Sequence, residues 1–117
     1  MVTMLEPSGE FCFVYSTFPD AESAKKAARA IVERKLAACV NIYPPMTSFY
    51  VWQGKMEDGA EVAAFIKTRR SLVPEVIAAL RPLHPYSTPC FLVLPIEGGN
   101  SDYLAWVREQ TDRPTPA

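Results

Sequence analysis

The chain carries one histidine, His84, and three cysteines, Cys12, Cys39 and Cys90. Imidazole nitrogen and thiolate sulfur suit copper and zinc, and a cysteine with a histidine base can also act as a nucleophile. His84 sits in Leu83-His84-Pro85-Tyr86-Ser87-Thr88-Pro89, which Pro85 and Pro89 keep out of helix. A histidine in such a connector serves as a metal ligand, a pocket wall or a turn residue. No two cysteine or histidine positions have the short spacing of a ligand pair. A metal site would therefore have to be assembled in space, or across subunits, from His84, a cysteine and carboxylates.

Nucleophilic chemistry has less support. His84 could partner Cys39 or Cys90, but spacing does not bring them together, and free cysteines are most often inert and buried. No glycine-rich anion loop with an arginine follows the first strand, and Gly98-Gly99 reads as a turn. With no recognisable acid, base and nucleophile set, no enzyme is expected. A binding pocket is the third chemistry. Trp52, Tyr86, Tyr103 and Trp106 stand at or beside element ends. Glu61 and Lys67 share one face of an otherwise apolar strand. The ordinary alternative is an edge-strand salt bridge; the functional one is a polar handle in an aromatic cleft.

The elements that must position these groups follow from periodicity. Residues 1–10 read as a flexible tail broken by Pro7-Ser8-Gly9. Phe11–Phe18 is apolar on both alternate sets, as a central strand would be. Asp20 caps a helix whose face carries Ala24, Ala27, Ala28, Ile31 and Val32, ending near Lys35. Residues 36–43 lead into a second strand, interrupted by Pro44-Pro45 and resumed at 47–52. A polar loop at 54–59 turns the chain into a return strand at 61–68, making a long hairpin arm. Ser71 caps a second helix with Pro74 in its first turn, and Pro82 stops it. Residues 90–96 form a buried strand. A third helix, capped by Asn100 or Ser101, shows Tyr103, Trp106 and Val107 on one face, and 112–117 is a second tail. The domain is thus 11–111, a single α+β ferredoxin-like βαββαβ sandwich with an extra C-terminal helix and a long β-hairpin arm. Apolar Phe49, Val51 and Trp52 on that arm are a liability unless covered, so self-association is expected.

Composition excludes several classes. A chain of 117 residues with 49% hydrophobic content buries a real core. The net charge of −1 and the lack of an arginine-rich run argue against nucleic acid as a partner. No apolar run reaches membrane-spanning length, so no membrane partner is expected. Three cysteines, an odd number, and no secretory pattern point to the cytoplasm and against a disulfide framework.

Five blocks in order resemble the CutA divalent-cation tolerance family. They are Glu33-Arg34-Lys35-Leu36-Ala37-Ala38-Cys39-Val40-Asn41, Ser48-Phe49-Tyr50-Val51-Trp52-Gln53-Gly54-Lys55, Ile66-Lys67-Thr68, Leu83-His84-Pro85-Tyr86-Ser87-Thr88-Pro89 and Asp102-Tyr103-Leu104-Ala105-Trp106. The resemblance implies a homotrimer whose arms pair between subunits, similar to the PII signalling proteins. It implies copper tolerance or homeostasis, with no required cofactor and with copper or a related divalent cation bound weakly. Carried over by motif, His84 and Cys39 are the candidate metal ligands. Trp52, Glu61, Lys67, Tyr86 and Trp106 match positions expected around an intersubunit cleft, where a PII-like module would bind a small molecule. Ser16 stands where some bacterial members have a cysteine, and a hydroxyl is a poor donor to a soft ion.

Overall fold

A computed structural model describes residues 5–112. Its centre is β2 (Phe11–Phe18), flanked by β5 (Lys55–Arg69) and β6 (Leu92–Pro95). Beyond β5 lies β3 (Cys39–Ile42), giving the antiparallel order β3-β5-β2-β6. The two-residue period divides β2 cleanly. Cys12, Val14, Ser16 and Phe18 are fully buried, whereas Phe13, Tyr15 and Thr17 on the other face are half-buried.

The first face is closed by α1 (Ala21–Glu33) and α2 (Val73–Leu80). Asp20 caps α1 through Oδ1, which accepts from Ser23 N–H at 2.7 Å; this bond holds its carboxyl below the usual range. Small Ala24 and Ala27, with Ile31, let α1 lie close over Val14, Phe18, Val62, Ala64 and Ile66. Lys35 takes φ 59°, a left-handed turn that ends the helix. The helix α2 starts after a 3-10 turn at Arg70–Leu72, so Ser71 does not cap it, and no side chain does. Pro74 does occupy its first turn.

Further expectations change. The strand expected to be buried over 90–96 is confined to β6, where Leu92, Val93 and Leu94 are exposed at the sheet edge. Within the span expected to be a tail, β1 (Leu5–Pro7) pairs antiparallel with β7 (Gly98–Asn100). The glycines expected to turn the chain thus form an edge ladder, because two residues without side chains admit a short strand beside them. The expected polar loop at 54–59 shrinks to Gln53-Gly54. These adopt φ 50° and 78°, the left-handed pair that a tight two-residue hairpin requires. Pairing with β4 (Met46–Trp52) draws the polar run from Lys55 to Gly59 into β5. Finally, α3 (Ser101–Gln110) buries Leu104 and Val107 against Phe11, Ala38 and Ile96, leaving Tyr103 and Trp106 on its exposed flank. The tail expected at 112–117 lies, beyond Asp112, outside the described residues.

The end of α3 is pinned to the sheet. Arg108 donates from Nη2 and Nε to the two carboxylate oxygens of Glu10, at 2.9 and 3.0 Å, and holds that carboxyl below its ordinary pKa. Arg69 donates to the hydroxyl and carbonyl of Thr111 at 2.9 and 2.7 Å. Among the described residues no helix packs on the other half of the second face. There Phe65 collects the rings of Phe13, Tyr15 and Tyr43, with centroids 5.1 to 5.8 Å apart. Among the described residues no helix is long and apolar enough to cross a membrane.

Candidate functional site

His84 lies at the end of β2 where the chain leaves a 3-10 turn, Arg81–Leu83. Its ring stacks on Phe18 at 4.4 Å and 20°, and Phe91 meets it edge-on at 5.8 Å. The Tyr86 backbone N–H donates to Nδ1 at 3.1 Å, which fixes that nitrogen as an acceptor. Nε2 therefore carries the proton and donates to the Thr17 carbonyl at 2.9 Å. Ser16 Oγ stands 3.4 Å from the same nitrogen. Burial pushes the imidazole pKa down, outweighing the Thr17 bond and the Glu61 charge. The ring is thus neutral, buried and occupied at both nitrogens.

Cys39 occupies another place. It opens β3 opposite Lys67, which pairs in turn with Phe13. That row is about 13 Å along β2 from Thr17. Cys39 is half-buried and its thiol reaches only Asn41 Oδ1, at 4.0 Å. One protomer does not bring Cys39 and His84 together, and the described residues hold no group of three metal-ligating side chains. His84 and Cys39 do not fit a shared copper site within one chain.

Trp52, Glu61 and Tyr86 do converge. They line a cleft of about 770 Å³ between the arm and residues 85–90, with Thr17, Tyr50 and Glu57 among its other walls. The Tyr86 hydroxyl donates to Glu61 Oε2 at 2.9 Å. Burial, the Glu61 bond and nearby negative charge push the Tyr86 phenol up to about 12, so it remains a donor. Cys90 lies in the same cleft, and burial raises its thiol, with Glu61 adding to the effect.

Lys67 is elsewhere. It borders a small apolar cavity of about 160 Å³ with Phe11, Phe13 and Leu104. Its ammonium donates to the Tyr103 hydroxyl at 3.2 Å and lies 5.4 Å from that ring's centre. Trp106 packs beside Tyr103, centroids 5.5 Å apart. The five expected cleft residues thus split into two groups on one chain. The sequence reading missed Tyr50, Glu57 and Thr17 as cleft walls. For Tyr50 and Glu57 the signal was the Gln53-Gly54 turn, which sets Tyr50 opposite Glu57 and Trp52 opposite Lys55; Thr17 carried none.

The CutA1 divalent ion tolerance protein family matches residues 12–110. The chain belongs to that family. Human protein CutA is 46% identical over 104 residues, covering 89% of this chain and 58% of the human protein. The chain therefore spans under two thirds of that relative's length. The divalent-cation tolerance protein CutA of Archaeoglobus fulgidus is 42% identical over 100 residues, covering 86% of this chain and 97% of its own. The structure of CutA from Synechococcus elongatus superposes with a TM-score of 0.90 at 30% identity, covering 94% of this chain and 97% of that one. These likenesses agree with the ferredoxin-like fold. The family is described by tolerance of divalent ions and not by a catalysed reaction. Its members differ in compartment: the Archaeoglobus structure is described as periplasmic and an Arabidopsis thaliana relative as chloroplastic.

Proposed function

We propose that this protein serves divalent-cation tolerance, copper included, as a cytoplasmic homotrimer. The carrying observation is the arm. Phe49 is 71% exposed, Met56 72% and Val51 63%, on a strand pair that projects from the body. Copies of the same chain are the cover that such an arm calls for, because exposed apolar strands otherwise aggregate. Three free thiols suit a reducing compartment. Copper or a related cation is bound only weakly, with Cys39 as the accessible soft donor and His84 held in reserve by its own hydrogen bonds. Light scattering tests the assembly: a mass of three chains supports it, and a monomer at micromolar concentration removes it. Titration with Cu²⁺ and redox-silent Zn²⁺ tests the ion. Weak binding that Cys39→Ser reduces and His84→Ala leaves alone supports this reading; tight binding abolished by His84→Ala defeats it.

The volume and polarity of the arm cleft favour a second reading, a PII-like module that binds a small metabolite beside Trp52, Glu61 and Tyr86. At about 770 Å³ the cleft falls in the size range of small-molecule sites, roughly 300–1,000 Å³. A thermal-shift screen separates the two readings: stabilisation by a metabolite without a metal effect favours the cleft.

A further inference from the structure

The small cavity beside Lys67 lies within the body, between α3 and the sheet, and shares no lining residue with the arm cleft. Its inner walls are Phe11, Thr68, Leu104 and Val107, each at most 4% exposed. These side chains are buried by their own chain, so a neighbouring copy leaves them unchanged. The space exists because of β7. Gly98 and Gly99 form one wall, and neither carries a side chain to fill it. A methyl group added at Gly99 would stand 3.5 Å from Leu104 Cδ2, in ordinary contact. Pairing with β1 holds the glycine wall from outside. At the other end the Glu10–Arg108 and Arg69–Thr111 bonds fix α3 over the sheet. Polar side chains around the cavity are engaged with partners. Thr68 Oγ1 donates to the Leu36 carbonyl at 2.6 Å, and the Lys67 ammonium donates to the Tyr103 hydroxyl at 3.2 Å. A buried water needs about two to four polar partners, and the inner walls offer one hydroxyl already in use.

We infer that this cavity is a binding site for a small apolar molecule of the single-ring class. Its volume of about 160 Å³ sets the size. An apolar cavity of about 150 Å³ in a protein interior stays dry and accepts benzene. The chemistry follows from the walls. Phe11 and Phe13 offer ring surface for an edge-to-face or offset contact, and Leu104, Val107 and Ile96 offer aliphatic surface. An empty apolar void leaves its lining without contacts on one side, and a ring of this size restores them. The bound ring touches α3 through Leu104 and Val107, β2 through Phe11 and β7 through its glycines. Occupancy therefore ties the terminal helix to the sheet from within, beside the ion pair that holds it from outside. The site depends neither on the arm nor on what covers it.

The test adds benzene to the full chain, with leucine and valine methyl groups labelled for nuclear magnetic resonance. Nuclear Overhauser effects from benzene to the methyls of Leu104 and Val107 are expected, together with shifts that saturate at millimolar benzene and a rise in Tm. Gly99→Ala narrows the cavity by one methyl in ordinary contact with Leu104 and should weaken benzene about tenfold, with far-ultraviolet circular dichroism unchanged. Val107→Ile fills the same space from α3 and should do likewise, so a disturbed β7 ladder in the first variant does not decide the result. Absence of saturable binding in the parent overturns the inference. So does benzene whose Overhauser contacts fall on Val51 or Leu92 in place of Leu104 and Val107, which would locate it on the apolar surface. Undiminished binding in both filled variants overturns it as well.

Discussion

The His84 pocket and the β4–β5 arm stand at opposite limits of self-sufficiency. At His84 every polar atom of the ring has an internal partner and both faces of the pocket are rings of the same chain. On the arm the backbone is paired but the apolar side chains face outward. The first region is complete in one polypeptide; the second leaves large apolar side chains uncovered. Chemistry follows the difference. A histidine whose nitrogens are both used is fixed in one tautomer and holds the connector at 85–90 in place, which in turn forms the cleft wall. The arm supplies the other wall, so the cleft joins a side fixed by internal hydrogen bonds to one whose apolar side chains are uncovered within the chain.

The sharpest way to break this contrast is at the arm. Phe49→Asp with Val51→Asp should convert a three-chain particle to single chains by light scattering, while far-ultraviolet circular dichroism of the body persists. Retention of the assembly would mean that the arm is not its seam. The next effect belongs to the other region. His84→Ala removes the Phe18 stack and two hydrogen bonds, for a loss of about 3 kcal/mol in denaturant unfolding. A negligible change would show that the pocket is not self-sufficient.

Acid probes the same ring without mutation. The folded pKa of His84 lies below its unfolded value near 6.5. Its contribution is therefore complete above that value. It declines as pH falls from 6.5 towards the lower folded pKa, because only the unfolded chain then takes up the proton. His84→Gln should flatten stability across that window, measured against the parent by urea unfolding at stepped pH. The smallest expected effect is at Thr68, whose buried hydroxyl donates to the Leu36 carbonyl at 2.6 Å. Thr68→Val should cost about 1 kcal/mol with assembly intact.

The body was legible in sequence because burial writes its period directly. Phe11–Phe18 carries apolar residues on both alternate sets, with Cys12, Val14 and Phe18 on the helix-covered face, and Ala24, Ala27 and Ile31 mark the face of α1. The arm's existence was equally plain from Phe49, Val51 and Trp52. Its length was obscured because residues 54–59 are polar and glycine-bearing, a loop composition that cross-strand pairing overrides. The strand at Leu5–Pro7 was invisible for a related reason: its partner is a pair of glycines without side-chain pattern. At the site, spacing could nominate His84 but could not reveal that Thr17 and Tyr86 use both its nitrogens, since those bonds run to backbone atoms. Lys67 was grouped with Trp52 because the family resemblance places both around an intersubunit cleft, which one chain does not display. Trp52 is level with Lys55, twelve residues along β5 from Lys67, about 40 Å by ordinary strand geometry.

That continuity of β5 has a genetic corollary. One unbroken strand, Lys55–Arg69, serves the arm at one end and the body at the other. Side-chain direction alternates along it without a bulge to reset the count. Deleting a single codon between Asp58 and Glu61 would leave both local sequences readable as strand. It would nevertheless invert one half relative to the other, sending Glu57 and Tyr50 away from the Tyr86 wall while Val62 and Ile66 kept the core. Single-codon insertions and deletions in this span should therefore be rejected, and paired ones tolerated, in a selection for assembled protein.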